Sequence, residues 1–555
     1  MQRRKLIKGA AAALPAWWLA KSYANVLPHI GTAGLPGEPM AKGPFKPTWS
    51  SLKQYQVPDW YRNAKFGIWA HWGPQCQPEH GDWYARGMYE EGSAQYKSHI
   101  AEYGHPSRSG FKDIIHKWKA ERWDPEHLLG LYKRAGAQYF VALANHHDNF
   151  DIYDSKYQPW NATRMGPEKD IIAGWAKAAR NQGLHFGVSV HAAHAWTWYE
   201  VAQRADKSGP LAGVPYDGKL TKADGKGTWW DGLDPQDLYA QNHPMSKNSE
   251  NNGNIHKIWG WDASAGCSIP GKAYCEQFYN RTVDLINKYS PDLIYFDDTA
   301  LPLWPVSDAG LRIAAHLYNH SIQKHGHLQA VLNGKILDEE QRKCMVWDIE
   351  RGQSNRIEPF VWQTDTCLGS WHYDRNIFEK HRYKNAQTVI HTLADVVSKN
   401  GNLLLSVPVR SDGTIDSDEQ AIVEGIAVWM QQNSEAIYDT RPWEIFGEGP
   451  AIDSAAPLSA QGFNEGKGKP FGTEDIRFTR KGNALYAIVL GWPANKQVII
   501  KSLATDSAYY KGQIQRVELL GGNTNLAFER RSNGLVAQLP ENSPEQVAVA
   551  LKILS

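Results

Sequence analysis

From residue 65 onward, short apolar runs alternate with longer stretches whose apolar positions recur every three or four residues. The runs Lys65–Ala70, Gln138–Ala144, His185–Val190, Asp292–Phe296, Ala330–Leu332, Met345–Trp347 and Leu403–Val407 predict buried strands. Between them the helical spacing predicts helices over Pro125–Ala135, Asp170–Asn181, Tyr274–Tyr289, Leu311–Lys324 and Thr388–Lys399, several stopped by Gly136, Gly183, Gly326 or Gly401. Strands alternating with helices imply parallel pairing through crossovers, and the strand count suits a closed barrel better than an open sheet. The expected fold is therefore α/β, a TIM-like (β/α)8 barrel. One more helix, Ser417 to about Ala436, precedes a change of style. From Ile476 the pattern turns to period two, as in Ala484–Leu490, Gln497–Ile500, Gln515–Leu519 and Val547–Leu551, which predicts a C-terminal antiparallel β-sandwich. The Gly-rich stretch Gly462–Gly472 reads as a flexible loop of that domain. The expected division is a leader at 1–24, a catalytic barrel at 25–445 and the β-sandwich at 446–555.

Composition narrows the function. The chain has 60 Lys plus Arg against 59 Asp plus Glu, so there is no basic excess to attract a phosphate backbone, and nucleic acid is a poor partner. With 42% hydrophobic residues the chain has ample material for packed cores. Its 24 Trp, 25 Tyr and 21 His are many, and Trp offers the flat apolar face that best stacks on a sugar ring, so a carbohydrate partner is expected.

Arg3 and Arg4 precede an apolar stretch from Ala10 to Ala20, and Ser22-Tyr23-Ala24 follows with small residues where a peptidase would cut. That order reads as a twin-arginine export signal with a mature start near Asn25, too short to span a bilayer core of roughly 30 Å. A periplasmic or secreted protein, with no membrane association after cleavage, is expected. Cys76, Cys267, Cys275, Cys344 and Cys367 include no C-x-x-C pair, which argues against structural zinc, and the bridging of Cys267 to Cys275 stays open. A homo-oligomer also stays open.

In a barrel of this kind the carboxyl ends of the strands carry the active site. The predicted strands end in His71-Trp72-Gly73, in Asn145-His146-His147-Asp148, in His191-Ala192-Ala193-His194 and in Asp297-Asp298. Asp297 follows Leu293-Ile294-Tyr295-Phe296, so it reaches the mouth beside an aromatic wall and is the candidate nucleophile. Because adjacent strand residues face opposite ways, only one of Asp297 and Asp298 can point inward. A retaining glycosidase needs a second carboxyl roughly 5–5.5 Å away as acid/base. Glu350 is the best-placed candidate, ahead of Asp348 and Glu358.

These residues resemble the α-L-fucosidases of glycoside hydrolase family 29. The resemblance rests on Lys65-Phe66-Gly67-Ile68-Trp69-Ala70-His71-Trp72-Gly73, Gly81-Asp82-Trp83-Tyr84, Ala135-Gly136-Ala137-Gln138-Tyr139 with His146-His147-Asp148, and Pro291-Asp292-Leu293-Ile294-Tyr295-Phe296-Asp297. Ser398-Lys399-Asn400-Gly401-Asn402-Leu403 and Arg441-Pro442-Trp443 follow in the same order, over roughly residues 57 to 450. The resemblance implies a retaining exo-glycosidase in which Asp297 is the nucleophile; the family's acid/base is poorly fixed in sequence, so Glu350 is assigned by its position, and no cofactor or metal is expected. It implies that His71, His146 and His147 bind sugar hydroxyls, with Asp82 and Trp83 on the rim. His191, Tyr295 and Trp362 complete the expected sugar-binding set.

Departures from the family pattern bear on the substrate. The family usually has Glu where Asp82 stands and commonly Gly where Asn149 and Asp298 stand. His191, His194, Trp196 and Trp198 make a polar, aromatic stretch where a less polar one is expected, and Trp362-Gln363-Thr364-Asp365 differs from the family's usual Trp-Glu pair. Terminal α-L-fucosides are the first expectation; α-L-galactosides, including those of red-algal galactans, are the alternative. A zinc-dependent barrel hydrolase and a catalytically silent sugar-binding protein are more remote readings. The long insertion from Ala202 to Gly260 is expected to form a wall of the cleft.

Overall fold

The computed structural model describes residues 35–247, 259–452, 458, 462–522, 524–541 and 547–555. The leader at 1–24 and the expected mature start lie outside them. No helix among the described residues is long and apolar enough to cross a membrane.

Eight parallel strands close into a barrel: β1 (Phe66–Ala70), β2 (Tyr139–Asn145), β3 (His185–Val190), β4 (Leu293–Thr299), β5 (Val331–Lys335), β6 (Val346–Glu350), β7 (Trp362–Cys367) and β8 (Gly401–Ser406). β8 returns to β1 with Phe66 opposite Leu403. The crossover helices form where the periodicity placed them, over Pro125–Arg134, Ile171–Asn181, Lys272–Tyr289, Ala309–His325 and Ala386–Ser398. Their starts are chemically marked. Asp124, Asp170 and Asn385 each accept a hydrogen bond from a first-turn N–H, and Asp416 with Glu419 forms a capping box on the helix Ser417–Asn433.

The barrel interior is unusually polar, and this sets up the site. Gly67 on β1 makes room for the Tyr139 ring, since a Cβ there would lie 2.3 Å from it. The Tyr139 and Tyr61 hydroxyls both donate to Gln363 Oε1, at 3.0 and 2.8 Å. With a period of two along each strand, Trp69 and His71, Tyr295 and Asp297, Asn333 and Lys335, Asp348 and Glu350, and Gln363 and Asp365 share the inner face.

The C-terminal domain is antiparallel throughout, a six-stranded sheet and a three-stranded sheet around a shared core that includes Phe478, Val498, Leu535 and Leu551. Its first strand is Arg441–Glu448, which pairs with Ile476–Lys481. The expected boundary at 446 therefore falls inside a strand of the second sheet.

A buried ion cluster ties the two domains. Arg477 Nε lies 2.6 Å from Asp395 Oδ1 and Lys399 Nζ 2.7 Å from Asp395 Oδ2, all three side chains almost fully buried. Burial pushes the Asp395 carboxyl up, but the two cations outweigh it and hold it below the usual carboxylate range. Its folded pKa is depressed, so its stabilisation is present above the ordinary carboxylate pKa and is lost as pH falls through the depressed value. Asp395→Asn leaves two cations without their counter-ion and is expected to lower unfolding stability by about 3–5 kcal/mol near neutral pH, with a weaker acid dependence than wild type. Urea melts of the two proteins at neutral pH and at a pH below the ordinary carboxylate pKa check this; melts that coincide at neutral pH would refute it.

Candidate active site

The mouth of the barrel holds a cavity of about 430 Å³, lined on one side by Asp297, Lys335, Glu350 and Asp365 and on the other by Trp69, Trp83, Trp259 and Trp371. Asp297 stands at its centre. Its Oδ2 receives His147 Nε2 at 3.2 Å and His191 Nδ1 at 3.1 Å, and its Oδ1 receives Lys335 Nζ at 2.7 Å. The same ammonium bonds Glu350 Oε2. Asp298 also belongs to the cavity lining and accepts from His194 Nε2 at 3.0 Å.

The two carboxyls are pushed in opposite directions. Burial raises the Asp297 carboxyl, but Lys335 and the two imidazole bonds dominate and hold it well below the usual carboxylate range. Burial raises Glu350 too, and Asp297's charge adds to this, so Glu350 stays raised despite Lys335. Burial disfavours the Lys335 ammonium, but Asp297, Glu350, Asp365 and Asp348 keep it firmly charged. Beneath this layer Tyr295 donates its hydroxyl to Asp365 Oδ2 at 2.6 Å, and Gln363 Nε2 donates to Asp348 Oδ1 at 2.7 Å. Burial and then Asp348's charge hold the Asp365 carboxyl well above its ordinary range, and burial pushes Asp348 up to about 7.

Four imidazoles cluster beside the carboxyls. His71 lies between His146, His191 and His372, with ring centroids 5.2, 5.1 and 4.7 Å away. Among the described residues neither ring nitrogen of His71 has a hydrogen-bond partner, nor has Nε2 of His191 or of His372. His146 Nδ1 meets Gln75 Nε2 at 2.8 Å. Burial holds His71 and His146 well below the ordinary imidazole range and His191 at about 4, so these rings are neutral at physiological pH and can donate or accept. His71, His146 and His191 each offer one nitrogen, all within 4.8 Å of one another, a set that could also hold a transition-metal ion.

The rim is built from two loops and the insertion. Asp82 accepts the backbone N–H groups of Trp371 at 3.1 Å and His372 at 2.6 Å, which fixes the loop after β7. Trp83, in the left-handed region at φ 59°, lies nearly parallel to Trp259 at 6.4 Å between centroids. Trp259 comes from the insertion expected to wall the cleft, and it stacks on His194 at 3.8 Å.

Residues 36–435 match the family model for α-L-fucosidase. The chain belongs to the α-L-fucosidase family. This family member is a glycoside hydrolase, and its residues 469–554 match the α-L-fucosidase C-terminal domain. It is 24% identical to the tissue α-L-fucosidase of Homo sapiens over 517 residues, covering 91% of this chain and 89% of that one. An α-L-fucosidase of Branchiostoma floridae is 25% identical over 527 residues, covering 91% and 93%. Among solved structures, the Thermotoga maritima α-fucosidase with a mechanism-based inhibitor superposes with a TM-score of 0.65 at 23% identity, over 92% of this chain and all of that one. A family 29 enzyme of Bacteroides thetaiotaomicron gives 0.56 at 16% identity, over 94% and 99%.

In this fucosidase-family enzyme the structure brings together most of the expected site residues. Asp297, Glu350, His71, Asp82, Trp83, His146, His191 and Tyr295 all line the cavity. His147 lies behind it, fully buried, donating from one nitrogen to Asp297 and meeting the His191 carbonyl with the other at 2.7 Å. Trp362 does not belong there. Gln363 and Asp365 face inward, so Trp362 faces out, packs against Ile349 and Val396, and donates to the Lys399 carbonyl at 2.8 Å. Glu358 is also elsewhere, bonded to Ser354 and Arg356, and Asp348 lies below Glu350 at the barrel floor. Among the described residues the cysteines form no disulfide, which answers for Cys267 and Cys275.

Lys335, Asp365, Trp371 and His372 were missed. Lys335 lies three residues past the apolar run Ala330–Leu332, behind Asn333 and Gly334, so the predicted strand stopped short of it. The other three sit on or after β7, whose sequence Trp-Gln-Thr-Asp-Thr-Cys has no apolar alternation to announce a strand.

Proposed function

We propose that this glycoside hydrolase is a retaining, exo-acting α-L-fucosidase with Asp297 as nucleophile and Glu350 as acid/base. The observation that carries the reading is the pair of carboxyls gripped by one ammonium and biased to opposite protonation states, which is how two like groups take separate roles. Oxygens that share one ammonium lie at most two hydrogen-bond lengths apart, roughly 5–6 Å. A ceiling of that size on the nearest oxygens is compatible with the roughly 5–5.5 Å between carboxyl groups of retaining enzymes and supports that reading. The trapped covalent intermediate of the Bacteroides thetaiotaomicron enzyme supports the same chemistry.

In the first step Asp297 attacks the anomeric carbon while Glu350 gives its proton to the departing glycosidic oxygen. In the second step Glu350 takes a proton from water, whose oxygen displaces Asp297 and restores the configuration. His147 and His191 aim the attacking carboxylate. His71 and His146 supply neutral nitrogens for ring hydroxyls, His372 adds a further ring nitrogen, and Trp83 offers a stacking face. Trp69, Tyr295 and Trp371, with ring centroids 4.8 and 5.5 Å from Trp69, provide an apolar wall for a C6 methyl. The leader read at 1–24 supports export.

One observation favours an α-L-galactoside instead. Asp365 lines the same cavity, and among the described residues its Oδ1 has no partner, so this neutral acid has hydrogen-bonding capacity to spare for a C6 hydroxyl. Side-by-side rates on p-nitrophenyl α-L-fucoside and α-L-galactoside, with and without EDTA, decide between them. The expected result is faster fucoside hydrolysis, insensitive to EDTA, with α-L-fucose as the first anomer seen by NMR. A β first product would refute retention. Loss of activity in EDTA with rescue by zinc would assign the three-histidine set to a metal.

A further inference from the structure

The stretch expected to be a free loop of the C-terminal domain instead docks on the barrel. Gly462 pairs with Glu350, the Phe463 N–H donates to the Glu350 carbonyl at 2.8 Å, and the Glu465 N–H donates to the Arg351 carbonyl at 2.9 Å. A Cβ on Gly462 would lie 2.4 Å from the Glu350 carbonyl oxygen, so only glycine lets the chain run this close to the end of β6. Asn464 Oδ1 accepts the Gln353 N–H at 2.8 Å. The Glu465 carboxylate accepts from Thr366 Oγ1 at 2.7 Å, Lys384 Nζ at 2.8 Å and Arg351 Nε at 3.2 Å.

This anchoring holds one side chain in an unfavourable pose. Phe463 has φ 53°, a left-handed conformation that is strained for a bulky residue and that persists only where the surroundings impose it. Burial of the residue is incomplete, with 37% of it exposed, and it lines the catalytic cavity with Glu350 and Ile336. An ordered apolar ring left open to solvent at the mouth of a polar site has no folding role that would explain its cost. Neither matched family range, 36–435 or 469–554, includes it.

We propose that Phe463 is the platform of a leaving-group subsite, stacking on the pyranose ring to which the terminal sugar is attached. The inference rests on the reading of Asp297 and Glu350 given above. Glu350 protonates the glycosidic oxygen, so the ring on its outer side belongs to the leaving group, and a flat apolar face there suits the C–H face of a pyranose. The natural substrate is then an oligosaccharide cut at its non-reducing end.

The test compares two leaving groups, one with a ring and one without. Wild type, Phe463→Ala and Phe463→Trp are assayed on fucosyl-galactose disaccharides and on α-L-fucosyl fluoride, or on the galactosyl counterparts if wild type hydrolyses only those. The expected result for Phe463→Ala is a fall of about tenfold or more in the disaccharide-to-fluoride ratio of kcat/KM, carried mainly by KM, with Phe463→Trp restoring most of the ratio. An unchanged ratio in Phe463→Ala overturns the platform, and so does a fall carried by kcat alone, because a residue that only positions Glu350 would slow departure of the sugar, which needs its proton, more than departure of fluoride. If wild type hydrolyses neither fluoride, the assignment of function fails first, and that outcome is read from wild type alone.

Discussion

Asp297→Ala is expected to lower kcat on an aryl α-L-fucoside by roughly ten-thousand-fold or more, the scale seen when a covalent nucleophile is removed. The loss is chemical and not structural. Lys335 keeps Glu350 as its partner in the variant, and His147 keeps its bond to the His191 carbonyl, so the buried charges are not all orphaned. Near-UV circular dichroism should match wild type. The space left by the carboxylate admits a small anion, and added azide should restore turnover while giving a glycosyl azide of inverted configuration, since one displacement then replaces two. Near-wild-type activity would remove Asp297 from the mechanism, and an inactive variant with a collapsed near-UV spectrum would show that its role is structural.

Lys335→Met is expected to lower kcat/KM by roughly a hundred- to a thousand-fold, as removal of a preorganised charge in an active site does. Its diagnostic is the pH profile. Lys335 pulls both carboxyls down, so its loss raises the pKa of Asp297 and raises that of Glu350 further. On the proposed roles the acid limb reports ionisation of Asp297 and the alkaline limb deprotonation of Glu350, and both should move to higher pH. Lys335→Arg, which keeps the charge, should bring both limbs back towards wild type. If Lys335 only fills space, the rate falls and the limbs stay where they were.

The difference between the site as read in the sequence and the site as folded follows from side-chain parity and strand recognition. Asp297 and Glu350 were legible because each ends an apolar run, and the alternation along a strand then points each inward. Trp362 was misplaced because its strand was not recognised, so its parity could not be worked out; Gln363 and Asp365 take the inner positions and turn Trp362 out. The same oversight hid Trp371 and His372, which the loop after β7 delivers to Asp82 and to the imidazole cluster. Strand β7 faces the active site with polar residues, and the chemistry that makes it functional removed the hydrophobic pattern that marks a strand.

The sequence by itself determined the barrel, the antiparallel domain, the crossover helices to within about two residues, though Gly401, read as a helix stop, opens β8, and the strand ends that carry Asp297 and the histidines. Those features depend on local periodicity and capping, which neighbouring residues encode. Only the tertiary structure decided which groups meet. It placed the Lys335 ammonium between Asp297 and Glu350, gathered four imidazoles from three strand ends and a distant loop, and laid Gly462–Glu465 along the end of β6. Contacts between residues on different strands follow from barrel closure, those between the two domains from the packing of one on the other, and a protonation state follows from those contacts, so neither can be read along the chain.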